Sequence, residues 1–190
     1  MPASMLFHLG RSIDAMANDI RIRQAGPADR AALREAVVEL QEFERRLSDT
    51  RRPGEEIADA YLARMESRAA DNGAILIAEA DGAFVGFVTC QLQEVDYIAE
   101  TPDSNRFGYV SDICVLPAWR GRRIACLLLE AAERHFAPHG ITRLRINVLA
   151  NNTSARHSYE HSGFVAYEIL YEKTMGISCR HRDPPADPVR

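Results

Sequence analysis

The sequence predicts one α/β or α+β domain in which a central sheet carries helices on both faces. Three observations support this fold class. Strand-like alternation and helix-like spacing of apolar residues follow one another in the order β-α-α-β-β-β-α-β-α-β-β. The length of 190 residues is typical of a single domain. Hydrophobic residues make up 46% of the chain, which is enough to form one core.

The first segments predict a strand followed by two helices. Ile and Arg alternate over residues 20–23, as in a half-buried strand. Residues 27–47 have helical spacing, and the Pro at their start suits a first turn, where its missing N–H would be unpaired anyway. The apolar face of this helix carries Leu33, Val37, Leu40 and Phe43 or Glu44. The Pro53-Gly54 pair ends the segment, and a second helix is expected at about residues 55–70.

The middle of the chain predicts three strands. Residues 74–80 and 83–93 have strand-like patterns, and the Asp-Gly pair between them is a strong hairpin signal. Residues 95–106 are polar and contain a Pro, so we expect a loop there. Residues 107–115 form the next strand.

The later segments predict two helices around a strand. A helix is expected from Pro117 to about residue 136, and Gly140 ends that segment. Residues 142–149 alternate strictly between apolar and polar side chains, which predicts a half-buried strand. A short helix over residues 153–161 is followed by Gly163, which we place as its left-handed stop.

The domain is expected to span residues 20–175. Two further strands, residues 164–169 and 170–174, would close it. Residues 1–19 show no clear period and are interpreted as an N-terminal extension. Residues 176–190 contain three prolines without an apolar period, which predicts a disordered tail.

Composition argues against several function classes. The net charge of −4 disfavours nucleic-acid binding, although 22 of the 23 basic residues are Arg. No apolar run approaches the ~18 residues that a membrane helix needs. There is no secretory signal, and the cysteines show neither a CxxC pair nor metal-ligand spacing, so we expect reduced thiols in the cytoplasm. These cysteines are Cys90, Cys114, Cys126 and Cys179.

The most informative segment is residues 113–125, where a strand leads through a short basic turn into a helix. Such a turn directs unpaired backbone N–H groups and the positive end of the helix dipole to one spot, which suits phosphate. Arg120, Arg122 and Arg123 lie in this turn. A solvated basic turn explains the spacing equally well, and the known phosphate fingerprints GxGxxG and GxxxxGK[ST] are not matched.

Residues 115–125 resemble the acyl-CoA signature of the GNAT superfamily of N-acetyltransferases, Q/R-x-x-G-x-G/A after a strand that ends in Val. Arg120 matches the first position, Ile124 the apolar filler and Ala125 the last position. Arg123 stands where the family usually has Gly. Its Cβ and long side chain must fit where Gly lets phosphate come near. Arg123 would either swing outward toward the 3′-phosphate of CoA or reduce CoA affinity.

A second segment resembles the other common signature of the family, N-x-x-A-x-x-x-Y-x-x-x-G-F. The matching residues are Asn152, Ala155, Tyr159, Gly163 and Phe164. The order of elements also fits the family over residues 20–175, about four-fifths of the chain.

The resemblance implies a mixed, mostly antiparallel sheet in which the strands at 107–115 and 142–149 splay apart at the CoA site. The pantetheine would add along the backbone from Ile113 to Val115, and backbone N–H groups of the turn would hold the pyrophosphate. The implied cofactor-binding residues are Ile113, Cys114, Val115, Arg120, Gly121, Arg122, Arg123, Ile124, Ala125, Asn152 and Tyr159.

The chemistry of acetyl transfer asks for few side chains. An alkylamine has a pKa of about 10.4 and must lose a proton before it attacks, so a base or a water chain is useful. The resemblance implies that Val115 or a neighbour supplies the oxyanion N–H and that Tyr159 protonates the leaving thiolate. Asp112 and Glu94 are the candidate bases. Packing of Tyr159 in the core, and a purely structural Asp112, are the alternatives.

Two histidine pairs and Cys114 are interpreted as structural residues rather than as metal ligands or a nucleophile. His157 and His161, like His135 and His139, have the spacing of helical metal ligands, but neither pair lies in an HExxH motif. We expect no metal. Cys114 lies beside the expected thioester, but packing of a small buried thiol is the favoured interpretation.

The charge distribution suggests the acceptor. Residues 94–112 contain five acidic side chains and one basic one, whereas residues 113–145 contain six basic and two acidic ones. The acidic section, with Glu39, Glu42 and Glu44, would either face a cationic acceptor or form a solvated surface.

The sequence therefore predicts an acetyltransferase that moves acetyl from acetyl-CoA to a primary amine of a small molecule or peptide. The alternatives are a non-catalytic acyl-CoA sensor, a transferase of a longer acyl group and, ranked last, a nucleic-acid-binding protein. The resemblance also makes a homodimer possible. Neither a nucleic acid nor a membrane is an expected partner.

Overall fold

The computed structural model of the protein describes residues 20–175. The N-terminal extension at 1–19 and the tail at 176–190 lie outside the described residues. The helices and strands are β1 (Ile20–Gln24), α1 (Arg30–Arg45), α2 (Gly54–Asn72), β2 (Gly73–Ala80), β3 (Ala83–Glu94), β4 (Arg106–Val115), α3 (Ile124–Phe136), β5 (Leu144–Ile146) and α4 (Thr153–His161).

The sheet has the order β1-β2-β3-β4-β5. The first four strands are antiparallel and β5 runs parallel to β4, so the mostly antiparallel sheet is confirmed. Asp81 and Gly82 join β2 to β3 with φ angles of 50° and 78°. Two successive residues with positive φ are the requirement of a tight hairpin turn, which is why the Asp-Gly pair predicted this hairpin.

Helices cover both faces of the sheet, as expected. On one face α3 packs against the strands through Leu128, Leu129 and Phe136. On the other face α1 and α2 pack through buried side chains that include Leu33 and Leu62. Alternation along β2 serves both layers: its alanines face α3, while Ile75 and Ile77 face α1 and α2.

A β-bulge in β4 interrupts the sheet. Thr89 of β3 pairs with Asp112, whereas the next residue, Cys90, pairs with Val110. Ser111 is therefore an extra residue on β4, and such a residue bends its strand. The ladder between β4 and β5 spans only three pairs and ends at Val110 and Ile146. Beyond the bulge, β4 thus has an edge to which β5 does not bond.

Three strand predictions need correction. The strand expected at 142–149 is confined to Leu144–Ile146, because β4 bends away beyond that point. The strands expected at 164–169 and 170–174 are wrong: these residues form no ladder with any described strand. The segment contacts the domain through Tyr167, which stacks on Arg145 and donates to Glu100. A local alternation pattern cannot supply the neighbouring strand that a ladder needs.

The close approach of β3 to β4 beside the open edge requires glycine at position 86. A Cβ there would lie 2.6 Å from the carbonyl oxygen of Cys114. We expect Gly86→Ala to lower the free energy of unfolding in urea by about 1–3 kcal/mol, as overpacking does. Gly26→Ala is the matched control, since its Cβ would meet only Asp29 at 3.8 Å. Equal stabilities of the two variants would contradict this account of Gly86.

Candidate active site

The open edge of β4 presents backbone groups to a ligand. The N–H of Leu116 donates to the carbonyl of Val85 at 3.0 Å, which fixes the side that faces β3. Because backbone groups alternate along a strand, the N–H and carbonyl of Val115 point to the opposite, open side. Ile113, two residues earlier, has the same orientation. An extended ligand can therefore add to this edge as a strand would.

The turn after β4 ends in a helix N-terminus. Gly121 and Arg123 have φ angles of 78° and 61°, so no helix continues through them. The sequence predicts that this helix begins at Pro117. It begins at Ile124 instead, because Gly121 and Arg123 interrupt the helical backbone. The first bond of α3 joins the N–H of Leu127 to the carbonyl of Arg123. The N–H groups before Leu127 precede the helical ladder, and such groups suit an anion.

Arg123 occupies a left-handed conformation as the residue that precedes α3. This conformation costs a non-glycine residue about 1–2 kcal/mol. The sequence indicated only that a Cβ stands in place of the Gly preferred by the family. The structure adds a second reason for that Gly, because the backbone itself adopts the region that Gly enters without strain.

Arg120 is held by the protein. Its Nε donates to the carbonyl of Val115 at 3.0 Å, and its Nη2 lies 3.1 Å from Glu39 of α1. Its guanidinium also covers the ring of Phe43 at 5.3 Å. Arg122 stacks on Trp119 at 4.7 Å. Of the three arginines, Arg120 therefore joins α1 to the end of β4 rather than standing free for phosphate.

Asp112 is buried directly after the bulge. Its Oδ1 accepts a hydrogen bond from the hydroxyl of Tyr61 on α2, and its Oδ2 accepts one from Thr89 at 2.8 Å. Burial, together with the charge of Asp112, raises the pKa of Tyr61. Tyr61 therefore remains a neutral donor at pH 7. The sequence did not single out Tyr61 or Thr89, because only the folded register brings them to Asp112.

Tyr159 lies on α4 and packs beside Phe164 with ring centroids 6.0 Å apart. Its hydroxyl has no hydrogen-bond partner among the described residues. Burial raises the pKa of Tyr159, and the charge of Glu44 adds to the rise, so the phenol stays protonated. Asn152 begins this helix: its Oδ1 accepts from the N–H of Ala155 at 3.1 Å. The Asn of the second signature thus serves as an N-cap here.

Glu44 lies near Tyr159 and Asp112, although the sequence did not indicate it as a candidate base. It lies near the end of α1 with its side chain 25% exposed, and it pairs with Arg51 at 2.9 Å. Burial raises the pKa of Glu44, Asp112 adds to the rise and Arg51 opposes it. A signal was present in the sequence, because Glu44 falls on the apolar face of α1, where a carboxylate is unusual.

Two further glutamates of α1, Glu39 and Glu42, have partners elsewhere. Glu39 contacts Arg120, and Glu42 accepts from the backbone N–H of Gly54 at 2.6 Å. Of the three acidic side chains on α1 that could face an acceptor, Glu44 is the one whose charge acts on Tyr159 and Tyr61.

Glu94 is not brought to this site. It ends β3 and pairs with Arg106 at 2.7 Å in an exposed ion pair. Arg106 precedes Asp112 by six residues on β4, which corresponds to about 20 Å along a strand. Asp103 in the neighbouring loop binds Arg143 at 2.8 Å. Glu94 and Asp103 of the acidic section are thus held in ion pairs away from this site.

Cys114 is buried among apolar side chains, and burial raises its pKa to about 12. A neutral thiol is a poor nucleophile, so packing explains this residue. Within residues 20–175 no cluster of three potential metal ligands exists. No helix of the described part is long and apolar enough to span a membrane.

Comparison with known proteins extends these observations. The family model described as "Acetyltransferase (GNAT) family" matches residues 35–164. An N-acetyltransferase of Bacillus subtilis strain 168, YhfO, is 32% identical over 146 residues, which cover 76% of this chain and 89% of the relative. Aminoglycoside N(6')-acetyltransferase type 1 of Salmonella typhimurium is 32% identical over 118 residues, 60% of this chain and 80% of the relative.

Solved structures share the fold. The tetramutant of the BH1408 protein from Bacillus halodurans aligns with a TM-score of 0.72 at 18% identity, over 82% of this chain and 99% of that one. The aminoglycoside N-acetyltransferase AAC(6')-Iy, solved in complex with CoA, aligns with a TM-score of 0.62 at 23% identity, over 83% of this chain and 95% of that one. The match to the family model covers more than half of the chain, so this protein belongs to the GNAT acetyltransferase family and is an N-acetyltransferase.

Proposed function

We propose that the domain at residues 20–175 transfers acetyl from acetyl-CoA to a primary amine of a small molecule or peptide, by direct attack of the amine on the thioester. The observation that carries this proposal is the open edge of β4. That edge runs from the bulge at Ser111 to the turn before α3, and it combines backbone groups to which β5 does not bond with a helix N-terminus that suits an anion. On Val115 it is the N–H that is open, because the carbonyl accepts from Arg120.

Each part of acetyl-CoA has a matching feature in this proposal. The pantetheine pairs with the backbone of Ile113 and Val115, as an added strand does. The pyrophosphate lies at the turn from Gly121 to Ala125, where backbone N–H groups and the helix dipole favour negative charge. Arg123 is exposed, so its side chain is free to turn outward from the turn.

The reaction uses groups that stay protonated at neutral pH. The amine nitrogen forms a bond to the thioester carbon, and the N–H of Val115 stabilises the oxyanion. The carbon–sulfur bond then breaks, and the Tyr159 hydroxyl gives its proton to the CoA sulfur. A phenol with an ordinary pKa of about 10 is protonated at neutral pH, and the raised pKa of Tyr159 leaves it so, which makes its proton available to the sulfur.

The acceptor is proposed to be a cationic amine. The charge of Glu44 acts on Tyr159, and the charge of Asp112 acts on Glu44. Negative charge of this kind concentrates cations. A relative that is 32% identical is named as an aminoglycoside N-acetyltransferase, which supports an acceptor with amino groups. An assay with a panel of amines and of acyl-CoA chain lengths separates this function from a transferase of longer acyl groups and from a non-catalytic sensor.

We also propose a cytoplasmic location, because Cys90, Cys114 and Cys126 are free thiols in the described part of the chain. Fractionation of native cells tests this location, and recovery of the protein outside the cytosolic fraction would refute it.

A second copy of the chain is the proposed partner of residues 164–175. This segment has no strand partner among the described residues, and it exposes Val165, Ile169, Leu170 and Tyr171 to solvent. It lies near β5, which bonds only to β4 within the described part and so leaves its outer edge open. A two-fold contact would cover the same apolar segment on both copies at once.

The catalytic role of Tyr159 is testable with a panel of amines and release of free CoA thiol as the readout. We expect the protein to acetylate alkylamines, and Tyr159→Phe to lower kcat by about a hundredfold while CoA affinity is unchanged. Tyr97→Phe, which alters an exposed tyrosine, is the matched control. CoA binding without turnover in the unaltered protein would favour a sensor, and turnover only with longer acyl-CoA would favour that alternative. Full turnover by Tyr159→Phe would remove Tyr159 from the mechanism.

The Cβ of Arg123 should limit the approach of the pyrophosphate. We expect Arg123→Gly to bind CoA about three- to tenfold more tightly than Arg123→Ala, since 1.4 kcal/mol corresponds to tenfold. Both variants lack the guanidinium, so their difference isolates the Cβ. Calorimetric titration with CoA measures it, and equal affinities would show that the Cβ does not obstruct the ligand.

The dimer proposal predicts a pair of molecules in solution. Light scattering coupled to size-exclusion chromatography should give the mass of two chains. Leu170→Lys should give the mass of one chain, because it places a charge in the apolar segment. Ile98→Lys is the control, since Ile98 is equally exposed but lies in the loop before β4. A monomeric unaltered protein would refute the proposal.

A further inference from the structure

The C-terminal part of α1 lies between α4 and the turn at residues 120–123, where the CoA pyrophosphate is proposed to bind. Glu39 and Phe43 of this helix contact the Arg120 guanidinium, which in turn binds the carbonyl of Val115. Just after α1, the carbonyl of Leu47 accepts from Nδ2 of Asn151, in the loop before α4. Both contacts fix the helix end that carries Glu44 against the two elements that build the active site.

Glu44 is coupled to the reacting side of the site. Its charge adds to the raised pKa of Tyr159 on α4 and of Tyr61 on α2. The charge of Asp112 acts on Glu44 in return. Glu44 therefore interacts electrostatically with Tyr159, Tyr61 and Asp112, although these residues belong to three different elements.

Asp112 and Glu44 together have one ion-pair partner among the described residues. Asp112 accepts hydrogen bonds from the neutral hydroxyls of Tyr61 and Thr89, and it has no ion pair among the described residues. Glu44 has one ion pair, with Arg51. Arg68 of α2 acts on Tyr61 and lines the same small cavity as Asp112, but it forms no ion pair with either carboxylate. A buried carboxylate without an ion pair is costly, so an incoming ammonium group would supply a direct partner.

We propose that Glu44, together with Asp112, binds the acceptor as an alkylammonium ion and that Glu44 is the base that removes its first proton. The inference rests on the proposed function and specifies its acceptor class, a primary amine that is cationic at neutral pH. In the step, the ammonium N–H bond breaks and its proton forms an O–H bond on Glu44, which leaves the lone pair on nitrogen for the attack.

The protons balance over the whole reaction. An alkylammonium carries three protons on nitrogen and the amide product carries one. One of the two released protons goes to Glu44 and later to solvent. The other leaves nitrogen after the attack and replaces the proton that Tyr159 gives to the CoA sulfur.

The structure favours Glu44 over Asp112 for the proton transfer. Both oxygens of Asp112 already accept hydrogen bonds, and the residue is buried. Glu44 keeps a quarter of its side chain exposed and holds Arg51 through one oxygen, Oε2. A carboxylate whose pKa is raised toward neutrality is also a stronger base, because Brønsted behaviour favours a base with a pKa near the working pH.

The central experiment compares Glu44→Gln with Glu35→Gln, which alters an exposed residue on the same helix. For a cationic alkylamine, Glu44→Gln should lower kcat/KM about a hundredfold, whereas Glu35→Gln should match the unaltered protein. For 2,2,2-trifluoroethylamine, which is already neutral at pH 7, the loss from Glu44→Gln should be much smaller. Affinity for CoA should be unchanged in both variants. A merely structural role of Glu44 would lower the rates with both amines equally.

The pH profile of kcat/KM adds a second readout. Glu44→Gln should abolish the acidic limb that reports protonation of the base. Asp112→Asn should keep this limb and move it to lower pH, because the charge of Asp112 raises the pKa of Glu44. An acidic limb retained by Glu44→Gln and lost in Asp112→Asn would overturn the assignment and make Asp112 the base.

Two results separate this inference from the proposed function. If the unaltered protein acetylates no amine of the panel, the proposed function fails. If it acetylates alkylamines and Glu44→Gln does so equally well, only the inference fails. Should Glu44→Gln not fold, Glu44→Asp keeps the charge on a shorter side chain, and it should retain the acidic limb with a reduced kcat. Loss of that limb in Glu44→Asp would also overturn the proposal.

Discussion

The extra residue in β4 at Ser111 is the constraint on which the rest of the site depends. It bends β4 away from β5, so the ladder between them stops after three pairs and the next residues have an open edge. The same insertion shifts the register by one residue, which exchanges the faces of the side chains that follow. Asp112 consequently meets Tyr61 and Thr89 on the α2 side, while the backbone of Val115 faces the open edge. One local irregularity thus sets both the cofactor edge and the orientation of a buried carboxylate.

Helix α1 is tied to the two elements that flank this edge. Arg120 ties the end of β4 to Glu39 and Phe43, and Asn151 ties the loop before α4 to the end of α1. The contacts of Arg120 use arginine as a planar donor with several partners, which a lysine could not reproduce. The basic turn is therefore partly structural, and the backbone of the turn, rather than the Arg120 side chain, remains available to an anion.

Features that depend on residues close together in the sequence could be predicted from it, whereas features that depend on contacts between distant segments could not. The Asp81-Gly82 hairpin and the cap on α4 are local, so residue types alone indicated them. The two signatures located the turn before α3 and Tyr159. The bulge, the Tyr61–Asp112 pair and the role of Glu44 depend on register and packing between distant segments, and no local pattern encodes them. The prediction of strands at residues 164–174 was wrong for the same reason. Their alternation of apolar and polar residues could not show that no described strand lies beside them.

Desolvation shifts the pKa values of the proposed acid and base of the site in the same direction. Burial disfavours the charged form of every acid, so it raises the pKa of Tyr159 and of Glu44 alike. A phenol, whose ordinary pKa is about 10, is already protonated at neutral pH, and the rise leaves that state unchanged while it makes the phenol a weaker acid. For a carboxylate, whose ordinary pKa is about 4.3, the rise moves it toward neutral pH and strengthens it as a base. The same low-polarity environment therefore leaves the phenol protonated while it strengthens the carboxylate as a base, and the charge of Glu44 further disfavours ionisation of Tyr159.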